Sequence, residues 1–155
     1  MVIDFHTHAF PEEIAPKVME KLSFTSGGLI PQTDGTINGL KDIMKKDGVD
    51  KSVTLAIATN AKQQKAVNDY ICSQKSDEII PFGSVYPYAE DALEELERIK
   101  AMGMKGVKLH PEYQQFFVDD ERMKPLYKRI SELGLIVLFH AGEDFGYPAP
   151  YHATP

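Results

Sequence analysis

Five short apolar runs of β-type composition alternate along this chain with segments of helical period, and that alternation leaves few folds open. The runs cover residues 2–6, 52–58, 79–86, 105–110 and 135–140. Between the third and fourth, the segment 91–102 carries Leu93, Leu96, Ile99 and Met102 at helical spacing and stops at Gly103. Between the fourth and fifth, Met123, Leu126, Tyr127, Ile130 and Leu133 form a second stripe, introduced by Asp119 and Asp120 and ended by Gly134. Further helices are expected over 14–22, over 40–47 before Gly48, and over 61–73, where Ala66, Val67, Tyr70 and Ile71 share a face. Strand, helix, strand with short connections is the pattern of a parallel α/β sheet. At 155 residues the chain holds one substantial core, so residues 1–155 are read as one domain with no second.

Composition narrows the function classes. Hydrophobic residues at 43% and charged residues at 26% are ordinary for a soluble globular protein. A net charge of −6 and a pI near 5.3 argue against nucleic acid or an anionic membrane as partner. No apolar run is long enough to span a bilayer, and no basic segment precedes the first apolar residues as in a signal peptide. Cys72 has no partner cysteine and suits a reducing cytoplasm. Any metal must therefore be held by nitrogen and oxygen ligands.

The chain opens Ile3-Asp-Phe-His-Thr-His8. In an extended strand, residues two apart share a face, so Asp4, His6 and His8 are expected to point one way and Ile3, Phe5 and Thr7 the other. Two imidazoles leaving one face can reach a single divalent ion, and Asp4 can fix their rings from behind. The later strands repeat this logic. Gly106, Lys108 and His110 share one face of the fourth, and His140 closes the fifth. In parallel α/β structures, ligands bind at the carboxyl ends of strands. His6, His8 and His140 are therefore the expected metal ligands. An inward Lys108 needs a partner for its charge. It is either a buried ion pair, with Asp4 a candidate, or a group that binds a substrate carboxylate or holds metal as a carbamate. His110, before Pro111, either transfers protons and orients substrate or caps the next helix. His152 is read as a loop residue, and Glu143 and Asp144 as solvated loop acids. The stretch 9–36, rich in Gly and Pro after its helix, is either a surface loop or a lid whose Phe24 and Leu29 exclude water.

Ile-Asp-Phe-His-Thr-His at the start resembles the amidohydrolase superfamily, whose members carry His-x-His at the end of the first barrel strand. Gly-Val-Lys-Leu-His-Pro at 106–111 and Leu-Ile-Val-Leu-Phe-His-Ala-Gly at 135–142 resemble one branch of it. That branch holds aminocarboxymuconate-semialdehyde decarboxylase, resorcylate decarboxylase and many metal-dependent hydrolases. The resemblance implies a (β/α)₈ barrel of the TIM type, present here as about five of its eight strand–helix units. It implies one divalent metal, zinc in most members, held by His6, His8 and His140. Lys108 corresponds to the lysine that other branches carboxylate to bridge two metals.

The family's further histidine after the sixth strand and its aspartate after the eighth have no counterpart before Pro155. A full barrel takes about 250 residues. Thr154-Pro155 has the form of a helix start, an N-cap residue followed by proline. The chain is accordingly expected to be the N-terminal part of a longer protein, weakly active or inactive alone, and either prone to pair with a second copy through exposed barrel edges or only marginally stable. Three functions stay open. One is a metal-dependent hydrolase acting on a small polar substrate through a metal-activated water. Another is a metal-assisted, non-oxidative decarboxylase of an unsaturated or aromatic acid, which a carboxylate-anchoring Lys108 would favour. The third is a non-catalytic open α/β domain that binds a small ligand, although no Gly-rich phosphate fingerprint follows the first strand.

Overall fold

Each apolar run enters a parallel ladder in the computed structural model, which describes residues 1–144 and 146–153. The elements run β1 (Ile3–Thr7), α1 (Ala15–Thr25), α2 (Ile37–Asp47), β2 (Lys51–Leu55), α3 (Ala61–Ser73), β3 (Ile79–Phe82), α4 (Ala92–Ala101), β4 (Gly106–Leu109), α5 (Pro111–Gln114), a 3₁₀ turn (Glu121–Met123), α6 (Lys124–Glu132) and β5 (Ile136–Phe139). β1 pairs with β2, β2 with β3, and β4 with β5, all parallel. Between β3 and β4 the ladder narrows to Gly83. Its N–H donates to Gly106 O at 3.0 Å, and its carbonyl accepts from Lys108 N–H at 2.8 Å. The strands thus stand in sequence order, five staves of an incomplete α/β barrel.

Side-chain alternation divides the two faces. Val107 and Leu109 of β4 point outward and join Ile71 of α3, Leu96 and Ile99 of α4, and Leu126 and Ile130 of α6 in the main core. Each of these side chains, fully buried, is worth about 1.5–3 kcal/mol over leaving it exposed. On the inner face Val53, Leu55 and Phe82 form a smaller cluster with Ile80 and Leu138. The Phe82 ring lies over Gly106, where any Cβ would collide with it and sit 2.6 Å from Ile136 O. That close approach is why glycine occupies this position. Thr36 and Asn60 cap α2 and α3 by accepting from Gly39 and Gln63 N–H, and Gly48 ends α2 at φ 70°.

Two strands stop earlier than their apolar runs predict, at Leu55 and Phe82 rather than near residues 58 and 86. One residue further on, at Ala56 and Gly83, the backbone still bonds to the neighbouring strand, but past them it turns to buried side chains. Ala58 N–H donates to Ser84 Oγ, Ser84 N–H to Asn68 Oδ1, and Tyr86 N–H to Gln64 Oε1. The helix expected over 14–22 runs on to Thr25. The helix start expected at Thr154-Pro155 lies outside the described residues. No helix among the described residues is long and apolar enough to cross a membrane.

Candidate metal centre

Four histidines and a lysine gather at the carboxyl ends of β1, β4 and β5, each brought there by its strand. The β1–β2 register shifts between Asp4 and Thr7, so the alternation expected along residues 3–8 is interrupted. Phe5 packs edge-on against Phe82 of the inner cluster, while His6 turns its Nε2 to within 3.3 Å of Lys108 Nζ. Asp4 spends its carboxylate on the His6 backbone, accepting from that N–H at 3.0 Å. This corrects two expectations. Asp4 meets the peptide of His6 rather than an imidazole, and it forms no ion pair with Lys108.

Lys108 is fully buried and has no carboxylate partner among the described residues. Burial alone pulls its pKa down to about 8. An ammonium can only donate, so the lone pair of His6 Nε2 faces it. His8 stands differently. Its Nδ1 is 3.0 Å from Leu55 O, a carbonyl that can only accept, so the ring proton sits on Nδ1 and Nε2 is bare. Burial first, then the nearby His6 and Lys108, push the His8 pKa down to about 4. A neutral ring with a bare Nε2, oriented by a backbone carbonyl, is the form in which histidine binds metal.

His140 continues the β4–β5 ladder through its N–H to Leu109 O, at 3.0 Å. Its Nε2 is buried and makes no hydrogen bond. The ring stacks on His110 with centroids 4.2 Å apart, and His110 stacks in turn on Tyr113 at 3.7 Å. His110 is the N-cap of α5, its Nδ1 accepting from Tyr113 N–H at 3.5 Å. That acceptance puts the ring proton on Nε2, 3.7 Å from Asp144 Oδ2. Burial, followed by the charges of His140, Lys108, His8 and His6, lowers the His110 pKa to about 2.

Asp144 is the residue that sequence reasoning missed. Expected as a solvated loop acid, it is only 12% exposed, with Oδ2 3.8 Å from His140 Nε2 and Oδ1 accepting from Gly146 N–H at 2.9 Å. One donor atom each from His110, His140 and Asp144 lie within 4.8 Å of one another. The available signal was an acid four residues beyond a strand-end histidine, in a loop short enough to fold back. Glu143 is exposed and accepts from Tyr151 OH. His152 stands apart from that donor set, with Nδ1 2.6 Å from the buried Glu112 carboxylate and its ring against Phe117.

The end of α1 and the stretch after it flank this cluster. Leu22, Leu29, Ile30 and Pro31 form one wall of a cleft of about 450 Å³, facing His110 and His140. Leu29 is thus beside the site, whereas Phe24 points to solvent, 85% exposed.

Imidazole nitrogens and a carboxylate, as in the cluster of His110, His140 and Asp144, are donor types that a divalent cation takes, and the bare Nε2 of His8 is another. The His140 Nε2 supplies the structural reason, being buried with no hydrogen-bond partner among the described residues. Comparison with known proteins bears on the same point. A family model described as Amidohydrolase matches residues 3–155. The fold is similar to a crystal structure of an amidohydrolase II, with TM-score 0.72 and 19% identity over 97% of this chain and 54% of that one. It is similar to 5-carboxyvanillate decarboxylase from Novosphingobium aromaticivorans, solved with manganese and a nitrobenzoic acid. There the TM-score is 0.68 and identity 16%, over 91% of this chain and 51% of that one. It is also similar to 4-oxalomesaconate hydratase from Rhodopseudomonas palustris, at TM-score 0.60 and 17% identity over 90% and 52%. No curated protein matches the chain. The chain spans about half the length of the solved structures it resembles, and at these identities the likeness is one of fold.

Proposed function

The chain belongs to the amidohydrolase family, and from that premise we propose a metal-dependent hydrolase acting on a small polar substrate. The observation that carries the proposal is the buried, unpartnered Nε2 of His140 beside the Asp144 carboxylate. His6, His8 and His140 are the proposed ligands of one divalent ion, with Asp144 added as an oxygen donor. The ready tautomer of His8 supports its role, and His6 would exchange its contact with Lys108 for the ion. Zinc suits a nitrogen-rich set of this kind, and manganese is the competing ion. When bound, the ion lowers the pKa of water toward about 7 and polarises a carbonyl.

The remaining residues have their own tasks. His110 is neutral at physiological pH and carries its only ring proton on Nε2, toward Asp144, so it is placed to donate a hydrogen bond that orients or polarises a substrate oxygen. Leu22, Leu29 and Ile30 line one side of the cleft, with Leu29 and Ile30 still largely exposed to solvent. Lys108 supports a second reading, the non-oxidative decarboxylation of an unsaturated or aromatic acid. A buried ammonium with no carboxylate of its own is suited to anchor one from a substrate. The unpaired Cys72, its thiol 3.7 Å from Met102 O, is consistent with a cytoplasmic setting.

The test is turnover by the full chain, loaded with zinc or manganese, against small esters, amides, lactones and aromatic carboxylic acids. Metal-dependent hydrolysis that is lost in His140→Ala upholds the hydrolase. Carbon dioxide release that is lost in Lys108→Met, with metal still bound, favours the decarboxylase. Turnover that survives chelation overturns both.

A further inference from the structure

Gln114 is completely buried, and nothing in the proposed chemistry uses it. Its amide nitrogen donates to Ala58 O at 2.7 Å and to Val85 O at 2.8 Å. Its amide oxygen accepts from His110 N–H at 2.9 Å. Ala58 lies past the end of β2, Val85 past the end of β3, and His110 directly after β4. One side chain therefore ties three strand ends at the rim of the site. Both of its donors and its acceptor are engaged. The same three ends have lost their ladder partners, so each backbone group would be buried and unpaired without this amide. Ser84 adds a second tie, accepting from Ala58 N–H at 3.1 Å and donating to Lys108 O at 2.9 Å.

The consequence falls on His110. Its backbone is pinned by Gln114 through the single turn of α5, and its ring is held between Tyr113 and His140. Tyr113 immediately precedes Gln114, so the residue that fixes the His110 peptide also fixes the strip of chain whose N–H points at His110 Nδ1. We propose that Gln114 is a positioning residue that sets the ring orientation and tautomer of His110 by fixing its peptide to the ends of β2 and β3. The functional value of this rests on the proposed role of His110 as hydrogen-bond donor to substrate, but the positioning itself does not.

Two measurements on the full, metal-free chain test it. In the unaltered protein, amide hydrogen exchange at His110 is expected to be slowed at least about 100-fold relative to the exposed turn at Gly27 and Gly28. In Gln114→Met, imidazole ¹⁵N shifts are expected to move His110 from the single Nε2–H form to a mixture of tautomers, while His152 keeps its shifts. A merely stabilising role lowers the melting temperature without changing the His110 tautomer of the folded protein. Exchange at His110 as fast as at Gly27, or a folded Gln114→Met with unchanged His110 shifts, overturns the proposal. If Gln114→Met does not fold, the exchange measurement decides alone. Neither readout involves turnover, so the outcome for the proposed function leaves this inference standing.

Discussion

The imidazole of His110 lies flat on that of His140, with centroids 4.2 Å apart and planes 10° apart. Two imidazolium cations in this position would repel strongly, and burial already disfavours charge on both rings. The stack is therefore one of neutral rings, and Asp144 closes its edge, 3.7 Å from one Nε2 and 3.8 Å from the other. Removing the Asp144 charge with Asp144→Asn should lower zinc affinity by at least roughly 10- to 100-fold, the range for loss of a mere supporting partner, since Asp144 is proposed as a ligand itself. Calorimetric titration measures it. Unchanged affinity would return Asp144 to the solvated loop acid expected from sequence.

Acid should destabilise the chain through His8 and His110. Both fold with pKa values below the ordinary 6.5, at about 4 and about 2, because burial disfavours the charged ring. The unfolded chain then binds protons that the folded chain refuses. Stability is whole above about pH 6.5 and declines as pH drops below it, with the His8 share spent near pH 4. In chelator, the melting temperature of His8→Gln should fall less steeply from pH 6.5 to 4 than that of the parent. Parallel curves would show that His8 is not held neutral by the fold.

Much of this architecture is legible in the sequence, for a simple reason. Alternation at Val107 and Leu109 against Gly106, Lys108 and His110 encodes both faces of β4, and helical spacing at Leu96 and Ile99 encodes what covers the outer one. The register shift in β1 was hidden because nothing in Asp4-Phe5-His6 distinguishes an even strand from one whose aspartate bonds its own backbone. Gln114 and Ser84 were hidden too. Their value lies in unpaired groups at three strand ends distant in sequence. Asp144 gained its role only when its loop folded over two rings.

Lys108→Met should stabilise the chelated chain at pH 7. The folded pKa of Lys108, about 8, lies below the ordinary 10.5, so at neutral pH the fold carries a buried charge at a cost. That cost is relieved as pH rises from 8 through 10.5. Urea midpoints of parent and variant should differ most at or below pH 8 and converge toward pH 10.5. A variant less stable than the parent at pH 7 would mean that the contact with His6 outweighs the desolvation of the amine.

Away from the site, Arg98→Met should cost on the order of 3–5 kcal/mol, because it strands a buried carboxylate. Glu95 is 6% exposed and takes bonds from Arg98 Nε at 2.8 Å, from another Arg98 nitrogen at 2.6 Å, and from Asn68 Nδ2 at 2.7 Å. Denaturant unfolding measures the loss, and the double variant Arg98→Met, Glu95→Gln should recover part of it. No recovery would place the cost in lost packing rather than in the stranded charge.

One divalent ion is proposed to bind at the rim through His6, His8 and His140. Zinc titration of the ¹⁵N-labelled full chain, followed through its imidazole nitrogens, tests that claim most directly. The Nε2 signals of His6, His8 and His140 are expected to move together and saturate at one equivalent, with His152, paired to Glu112, unmoved. Titration that leaves His8 and His140 in place, or that shifts His152 alone, would contradict the claim.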